Sequence, residues 1–593
     1  MAPKKNKLEL TWIGKDNRPR LEPRILIEEP ELSHHARARR EGDIFDNMLI
    51  HGDNLLALKA LETDPAVRGK VKCVYIDPPF NTGAAFEHYD DGLEHSLWLG
   101  LMKERIEIIA KLLGDDGVLW IHIDDKEMAY LRILCDEIMG RSNFLNMVVV
   151  KTSDPSGHKT VNPSPYSQTE YILMYAKNRW HYKYEQRYVE TLYDPGYGKY
   201  ITNRNEHYSK WKVCGLNEHV AIEVGCKDTR EARRKFGRLG FDSQVAQFAL
   251  ENADSVFQAT AISNAAGRGI VEMREASKER PDEVLLYARD SHDDIYILNG
   301  RQVYFYSSKL KEIDGELVPA KPLTNLWTDI PYNGIAREGG VTFKNGKKPE
   351  RLVERCIELT TNPGDLVLDS FAGSGTTGAV AHKMGRRWIM VELGDHSKTH
   401  IVPRMQNVID GTDKSGVTEA AGWKGGGGYR FSRLAPSLLQ KDAWGNWIIS
   451  KDYNAEMLAE AMCKHFNYVY APSDEAYWMH GHASENAFIY VTTASLTFEQ
   501  LRAISDEVGE DRSLLICCMA YEAQGETLDN LTLKKIPRVV LDRCEWGKDD
   551  YSLRIDALPM AEEVEALEDD PDPNPTTRKV RATSKPALLK ERK

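Results

Sequence analysis

The chain has 593 residues, 41% hydrophobic and 28% charged, with 43 glycines and 26 prolines. That composition excludes collagen-like, wholly disordered and disulfide-scaffold classes, and the length suits two or three packed units. The net charge of −12 at pH 7 excludes indiscriminate polyanion coating but leaves room for a local basic groove.

Residues 1–43 read as an N-terminal extension. Its start, MAPKKNKLEL, lacks the apolar stretch of a secretory signal, and the basic run HHARARR (34–40) reads as a solubilising flexible tail. Residues 44–180 alternate short apolar runs with amphipathic stretches, as parallel strands joined by crossover helices do. The expected order is strand 48–50, helix 54–61, buried strand 71–76 (VKCVYI), helix 101–113, strand 118–123 and a helix from Asp124 or Asp125 to Ile138, stopped at Gly140. Between 181 and 325 the alternation dissolves into polar, aromatic and basic sequence, read as an insertion. It resumes over 326–435: Pro349 opens a helix, Asn362-Pro363-Gly364 breaks it, and strand 366–369, a Gly-rich turn, a helix to Met384 and strand 388–392 follow. After Gly425–Gly428, residues 436–560 suggest a smaller C-terminal α/β interaction domain with strand 487–491, helix 498–508 and strand 513–519. Residues 561–593 read as a charged flexible tail, acidic and then basic. No run reaches the ~18 apolar residues of a membrane helix. The nine cysteines form no C-x-x-C pair, so the expectation is a cytoplasmic chain with reduced cysteines, no membrane contact and no metal site.

The sharpest chemical signal is Asp77-Pro78-Pro79-Phe80, directly after the apolar strand 71–76. Ligands of open parallel sheets bind outside the carboxyl ends of strands, so these residues face a crevice. Two prolines remove two N–H donors and leave carbonyls that only accept. A carboxylate plus a fixed carbonyl suits the two N–H donors of an exocyclic base amine, and Phe80 suits its face, where stacking is worth ~1–3 kcal/mol. The second signal is Asp369-Ser370-Phe371-Ala372-Gly373-Ser374-Gly375-Thr376-Thr377-Gly378, between a strand and a helix, where glycine lets a cofactor approach the backbone. Glu392 ends the next strand, 19 residues after Gly373, at a spacing where an acidic residue accepts from ribose hydroxyls. Gly373-x-Gly375-x-x-Gly378 also matches a nicotinamide fingerprint. Hydride transfer has no evident use for Asp-Pro-Pro-Phe, whereas methyl transfer from an adenosine-containing donor to an amine uses both motifs. Asp53, in Gly-Asp-Asn, reads equally as a donor contact or a helix N-cap.

With these motifs and HGDNLLALKAL (51–61), EYILMYAKN (170–178), FKNGKKPERL (343–352), FAGSGTTGAVAHKMG (371–385) and LTLKKIPRVVLDRCEWGKDDYSL (531–553), the sequence resembles the beta-class DNA amino-methyltransferases, and among them the modification subunits of type III restriction-modification systems. The resemblance implies a circularly permuted, Rossmann-like S-adenosylmethionine-dependent methyltransferase sheet, with the 181–325 insertion as target-recognition domain. It implies methylation of adenine N6 in double-stranded DNA by base flipping, with no metal required. Asp77, Pro78, Pro79 and Phe80 would be catalytic. Asp369, Phe371, Gly373, Gly375, Glu392, Asp53 and Lys348 would face the donor. It further implies a homodimer and a separate restriction subunit. Cytosine N4 methylation and a non-catalytic DNA-recognition subunit stay open as alternatives. Sequence reading is expected from the insertion, where ten of 26 tyrosines fall between Tyr166 and Tyr208 and Arg230, Arg233, Arg234, Lys235 and Arg238 cluster. An ordinary helix with a solvated charged face would carry the same cluster.

Overall fold

A computed structural model describes residues 9–79, 91–153, 165–289, 293–313, 315–343, 346–522 and 527–552. Its centre is an 11-stranded mixed sheet. In chain order the strands are β1 (Leu26–Glu28), β2 (His34–His35), β3 (Asn47–His51), β4 (Val71–Ile76), β5 (Leu113–Ile123), β6 (Phe144–Lys151), β7 (Thr169–Ala176), β8 (Leu326–Trp327), β9 (Leu366–Asp369), β10 (Arg387–Glu392) and β11 (Gly428–Leu434). Across the sheet they lie in the order β1, β11, β3, β10, β9, β4, β5, β7, β6, β8, with β2 beside β11.

The run VKCVYI explains why β4 lies inside. Val74 and Ile76 point into the core with helices Asn54–Glu62 and Asp91–Leu112, while Cys73 and Tyr75 point into the opposite core with helices Glu350–Glu358, Thr376–Lys383 and Val402–Ile409. A strand that alternates between two apolar layers has no polar face, which is the signature of a sheet covered on both sides. β9 behaves the same way, with Leu366 and Leu368 in one layer and Val367 in the other.

β9 pairs parallel with β4 on one side and with β10 on the other. The chain therefore winds away from β9 in both directions, and the carboxyl ends of β4 and β9 open on the same edge, at the switch point where open α/β sheets form crevices.

The N-terminal segment is part of this sheet. β1 and β2 both pair antiparallel with β11, and His34 Nε2 lies 2.9 Å from Asp410. This corrects the reading of 34–40 as a free tail: an exposed sheet edge offers unpaired backbone groups, and His34–His35 satisfy some of them. The expected helix 124–138 is likewise shorter, running Met128–Cys135 and continuing as one wider turn, Asp136–Gly140.

Within 181–325 a six-stranded sheet (residues 199–305) carries helices Leu216–Glu223, Thr229–Glu251 and Arg268–Glu279 around its own apolar clusters, and a three-stranded sheet links residues 188–190 to 310–322. The C-terminal part builds a five-stranded sheet with helices Ala455–Phe466 and Phe498–Val508. The second of these opens on a reciprocal Thr497–Gln500 cap. All nine cysteines are free thiols. Among the described residues no helix is long and apolar enough to cross a membrane.

Candidate active site

The loops after β4 and β9 line one cavity of about 650 Å³, within the size range of small-molecule sites. Asp77, Pro78 and Pro79 line it together with Asp369 through Ser374 and Glu392. The Pro79 carbonyl accepts a 2.9 Å hydrogen bond from the indole N–H of buried Trp98, which fixes the loop where two prolines already restrict φ. Phe80 lies outside the described residues.

Next to Asp77 runs a line of buried and half-buried polar groups. The ammonium of Lys348 lies 3.4 Å from Asp77 Oδ1 and 2.9 Å from Glu170 Oε2. Glu170 Oε2 is 2.6 Å from His122 Nε2, and His122 Nδ1 is 3.0 Å from the Tyr75 hydroxyl. Burial raises the Asp77 carboxyl, and the Lys348 charge works against that rise. Burial also opposes ionisation of Glu170, but hydrogen bonds and charge from His122 and Lys348 hold it down at about 2. Desolvation and the Lys348 cation keep His122 below its usual value, so its neutral form donates to Glu170 through Nε2 and accepts from Tyr75 at Nδ1.

In the loop after β9 the glycines do separate jobs. Gly373 has φ +53°, and a Cβ there would meet nothing nearer than the Phe371 carbonyl at 3.9 Å, so its backbone faces open cavity. Gly375 has φ +77° and caps helix Thr376–Lys383, and a Cβ there would press within 2.9 Å of Ile401. Gly373 keeps the cavity open; Gly375 is a turn and a packing requirement. Glu392 accepts from the Gly373 N–H at 2.8 Å and the Gly394 N–H at 2.9 Å, and His396 Nε2 lies 2.9 Å away. That hydrogen bond raises His396.

Asp53 is the helix N-cap that one of its two sequence readings expected. Oδ1 caps helix Asn54–Glu62 by accepting from Leu55 and Leu56, and the residue also lines the cavity. Its Oδ2 accepts from the Tyr551 N–H at 3.0 Å, and Arg105 donates to the Tyr551 carbonyl at 3.2 Å. The C-terminal segment thus returns to the sheet, and Ser552 lines the cavity.

The structure brings Asp77, Pro78, Pro79, Asp53, Lys348, Asp369, Phe371, Gly373 and Glu392 to this one cavity. Gly375 stands just behind it. Arg230, Arg233, Arg234, Lys235 and Arg238 are exposed on helix Thr229–Glu251, outside that lining. Sequence reasoning did not single out Trp98, Arg105, His122, Glu170 or Phe343. The available signal was a polar residue inside an apolar strand, as His122 is in VLWIHI.

This is an α/β protein in which the loops after β4 and β9 line one crevice. The DNA methylase family matches it over residues 71–402, and the chain belongs to that family. It is 34% identical over 448 residues to the "Probable type III restriction-modification enzyme HindVI Mod subunit" of Haemophilus influenzae, covering 68% of this chain and 56% of that protein. It is 26% identical over 426 residues to the type III restriction-modification enzyme EcoPI Mod subunit of Escherichia phage P1, covering 64% of this chain and 61% of the relative. The chain thus spans little more than half the length of these curated relatives.

Proposed function

We propose that the protein is a site-specific DNA methyltransferase that moves a methyl group from S-adenosylmethionine to N6 of adenine in double-stranded DNA, as the modification and recognition subunit of a type III restriction-modification system. The observation that carries this reading is the shared cavity, lined by both the Asp77-Pro78-Pro79 loop and the glycine loop. Family membership and similarity to Mod subunits support it. Asp at the head of the acceptor motif favours adenine over the cytosine N4 amine.

The cavity fits the donor. Gly373 leaves backbone open where a side chain would stand, Glu392 offers acceptors to a ribose diol, and Asp369 and Asp53 offer carboxyl oxygens to an amino-acid ammonium. When bound, S-adenosylmethionine supplies an electrophilic methyl carbon on a sulfonium. Asp77 and the Pro78 carbonyl accept the two N–H groups of the target amine, which draws its lone pair out of the ring and holds it in line. Phe80 stacks on the base. A base paired in a duplex cannot reach such a pocket, so the target is flipped out at a cost of a few kcal/mol. Residues 181–325 read the flanking sequence, with Arg230, Arg233, Arg234, Lys235 and Arg238 on phosphates. The C-terminal domain serves assembly as a homodimer and with a restriction subunit.

Single-molecule sequencing of DNA from cells expressing the protein tests this, since it reports modified base and context together. Asp77→Ala should abolish the adenine signal while DNA binding persists in a filter assay. An undiminished signal in that variant overturns the assigned role.

A further inference from the structure

The acceptor role above leaves the polar line next to Asp77 unused. The Lys348 side chain is 9% exposed, and its ammonium lies within reach of Asp77 and Glu170. The line draws on three strands and a loop: Tyr75 from β4, His122 from β5, Glu170 from β7 and Lys348 from the segment before helix Glu350–Glu358. A buried ion pair is weak evidence for stability, because apolar residues of similar volume do as well. One that ends on the carboxylate of the acceptor motif has a chemical use.

We propose that Lys348 is the positioning residue for methyl transfer: held by Glu170 and His122, its ammonium keeps the Asp77 carboxylate charged and turned so that it accepts from the target amine. This rests on the functional reading above. A neutral Asp77 would keep one weaker carbonyl acceptor and could turn its O–H toward an amine that already carries N–H donors, so the contact would be weakened. Burial pushes Asp77 toward that neutral form, and the charged or titratable groups around it are Lys348, His122, Glu170, Tyr75, Tyr332 and Asp369. Of these, Lys348 is the cation nearest its carboxylate. Asp77 also takes the proton the nitrogen sheds once its lone pair has formed the N–C bond and the C–S electron pair has stayed on sulfur.

The test compares wild type, Lys348→Met, Lys348→Arg and Glu170→Gln, using S-adenosylmethionine and methylation-free genomic DNA. Tritium transfer is followed in a single turnover from pH 5 to 9, and donor affinity by calorimetry. Lys348→Met should slow transfer about 10²-fold and move the acid limb up by about one pH unit or more, with donor affinity held within about threefold. Lys348→Arg should restore the limb. Glu170→Gln removes a like charge near Asp77 and should move the limb down, a contrast in sign that a packing defect would not produce. An acid limb that stays put in Lys348→Met, or a loss of donor affinity matching the loss of rate, overturns the inference. If Lys348→Met fails to fold, Glu170→Gln decides by the same criterion. If wild type itself transfers no methyl group to adenine, the functional reading falls and takes this inference with it.

Discussion

Asp369 ends β9 at 3% exposure, accepting from the Phe371 N–H at 2.9 Å and the Thr377 hydroxyl at 2.5 Å. Burial nevertheless pushes its carboxyl up to about 7; those two hydrogen bonds oppose the rise, while the charges of Asp77 and Glu392 add to it. A raised carboxyl favours the protonated form in the folded state. Its stabilising contribution is therefore complete below the ordinary value of 3.8 and is lost as pH rises through about 7. Asp369→Asn has no such titration, so its melting temperature relative to wild type should climb between pH 5 and pH 8. Differential scanning calorimetry checks this, and a gap that narrows instead would contradict the sign. At this scale the sequence was legible where chemistry sits at a strand end, as with Asp77, Asp369 and Glu392. It was not legible where chemistry depends on a distant partner: Lys348 and Glu170 are 178 residues apart, and spacing along the chain says nothing about that meeting. Lys348 lines the cavity as expected of a residue beside the donor, but its 3.4 Å approach to Asp77 was announced by no spacing.

Helices Glu350–Glu358, Thr376–Lys383 and Val402–Ile409 are joined by a buried quartet. Lys383 lies 2.7 Å from Glu350 and 2.6 Å from Asp413, and Arg404 lies 2.7 Å from Glu350. Arg404 also donates to the Ser374 carbonyl at 3.1 Å and the Thr376 hydroxyl at 2.9 Å, so the quartet props the glycine loop from beneath. Two cations and two carboxylates balance inside the protein. Lys383→Met leaves two carboxylates facing one guanidinium, a buried imbalance that should destabilise by about 3–5 kcal/mol, measurable as a lower denaturation midpoint. A change near zero would mean that water reaches the quartet. Most elements were legible because their apolar periodicity is strong: strands 71–76 and 366–369 were expected at their observed limits. Helix Asp91–Leu112 begins well before the expected residue 101, since Gly92 and Gly100 interrupt the pattern that would announce it.

At the scale of the molecule, the sheet carries the chemistry, and residues 181–325 stand as separate sheets beside it. Their strands are only three to six residues long between 199 and 305, too short for alternation to show, and their aromatic clusters read from sequence only as composition. Arg233 and Arg238 have Asp242 as a neighbour at 4.0 and 3.8 Å. These exposed pairs are weak enough for phosphate to displace. Replacing Arg233, Arg234 and Arg238 with glutamate should weaken DNA binding and flatten the dependence of log affinity on log salt by about 2–3 units. An unchanged slope in a salt titration would take this helix off the DNA path. The cavity itself draws on β3-proximal Asp53, on the β9 loop and on Ser552, so its walls come from nearly the whole length of the polypeptide. A nascent chain still on the ribosome has no finished pocket until the segment around Tyr551 has emerged and docked. Long-range closure of this kind is slow. Occupancy by a ligand would stabilise only the completed molecule.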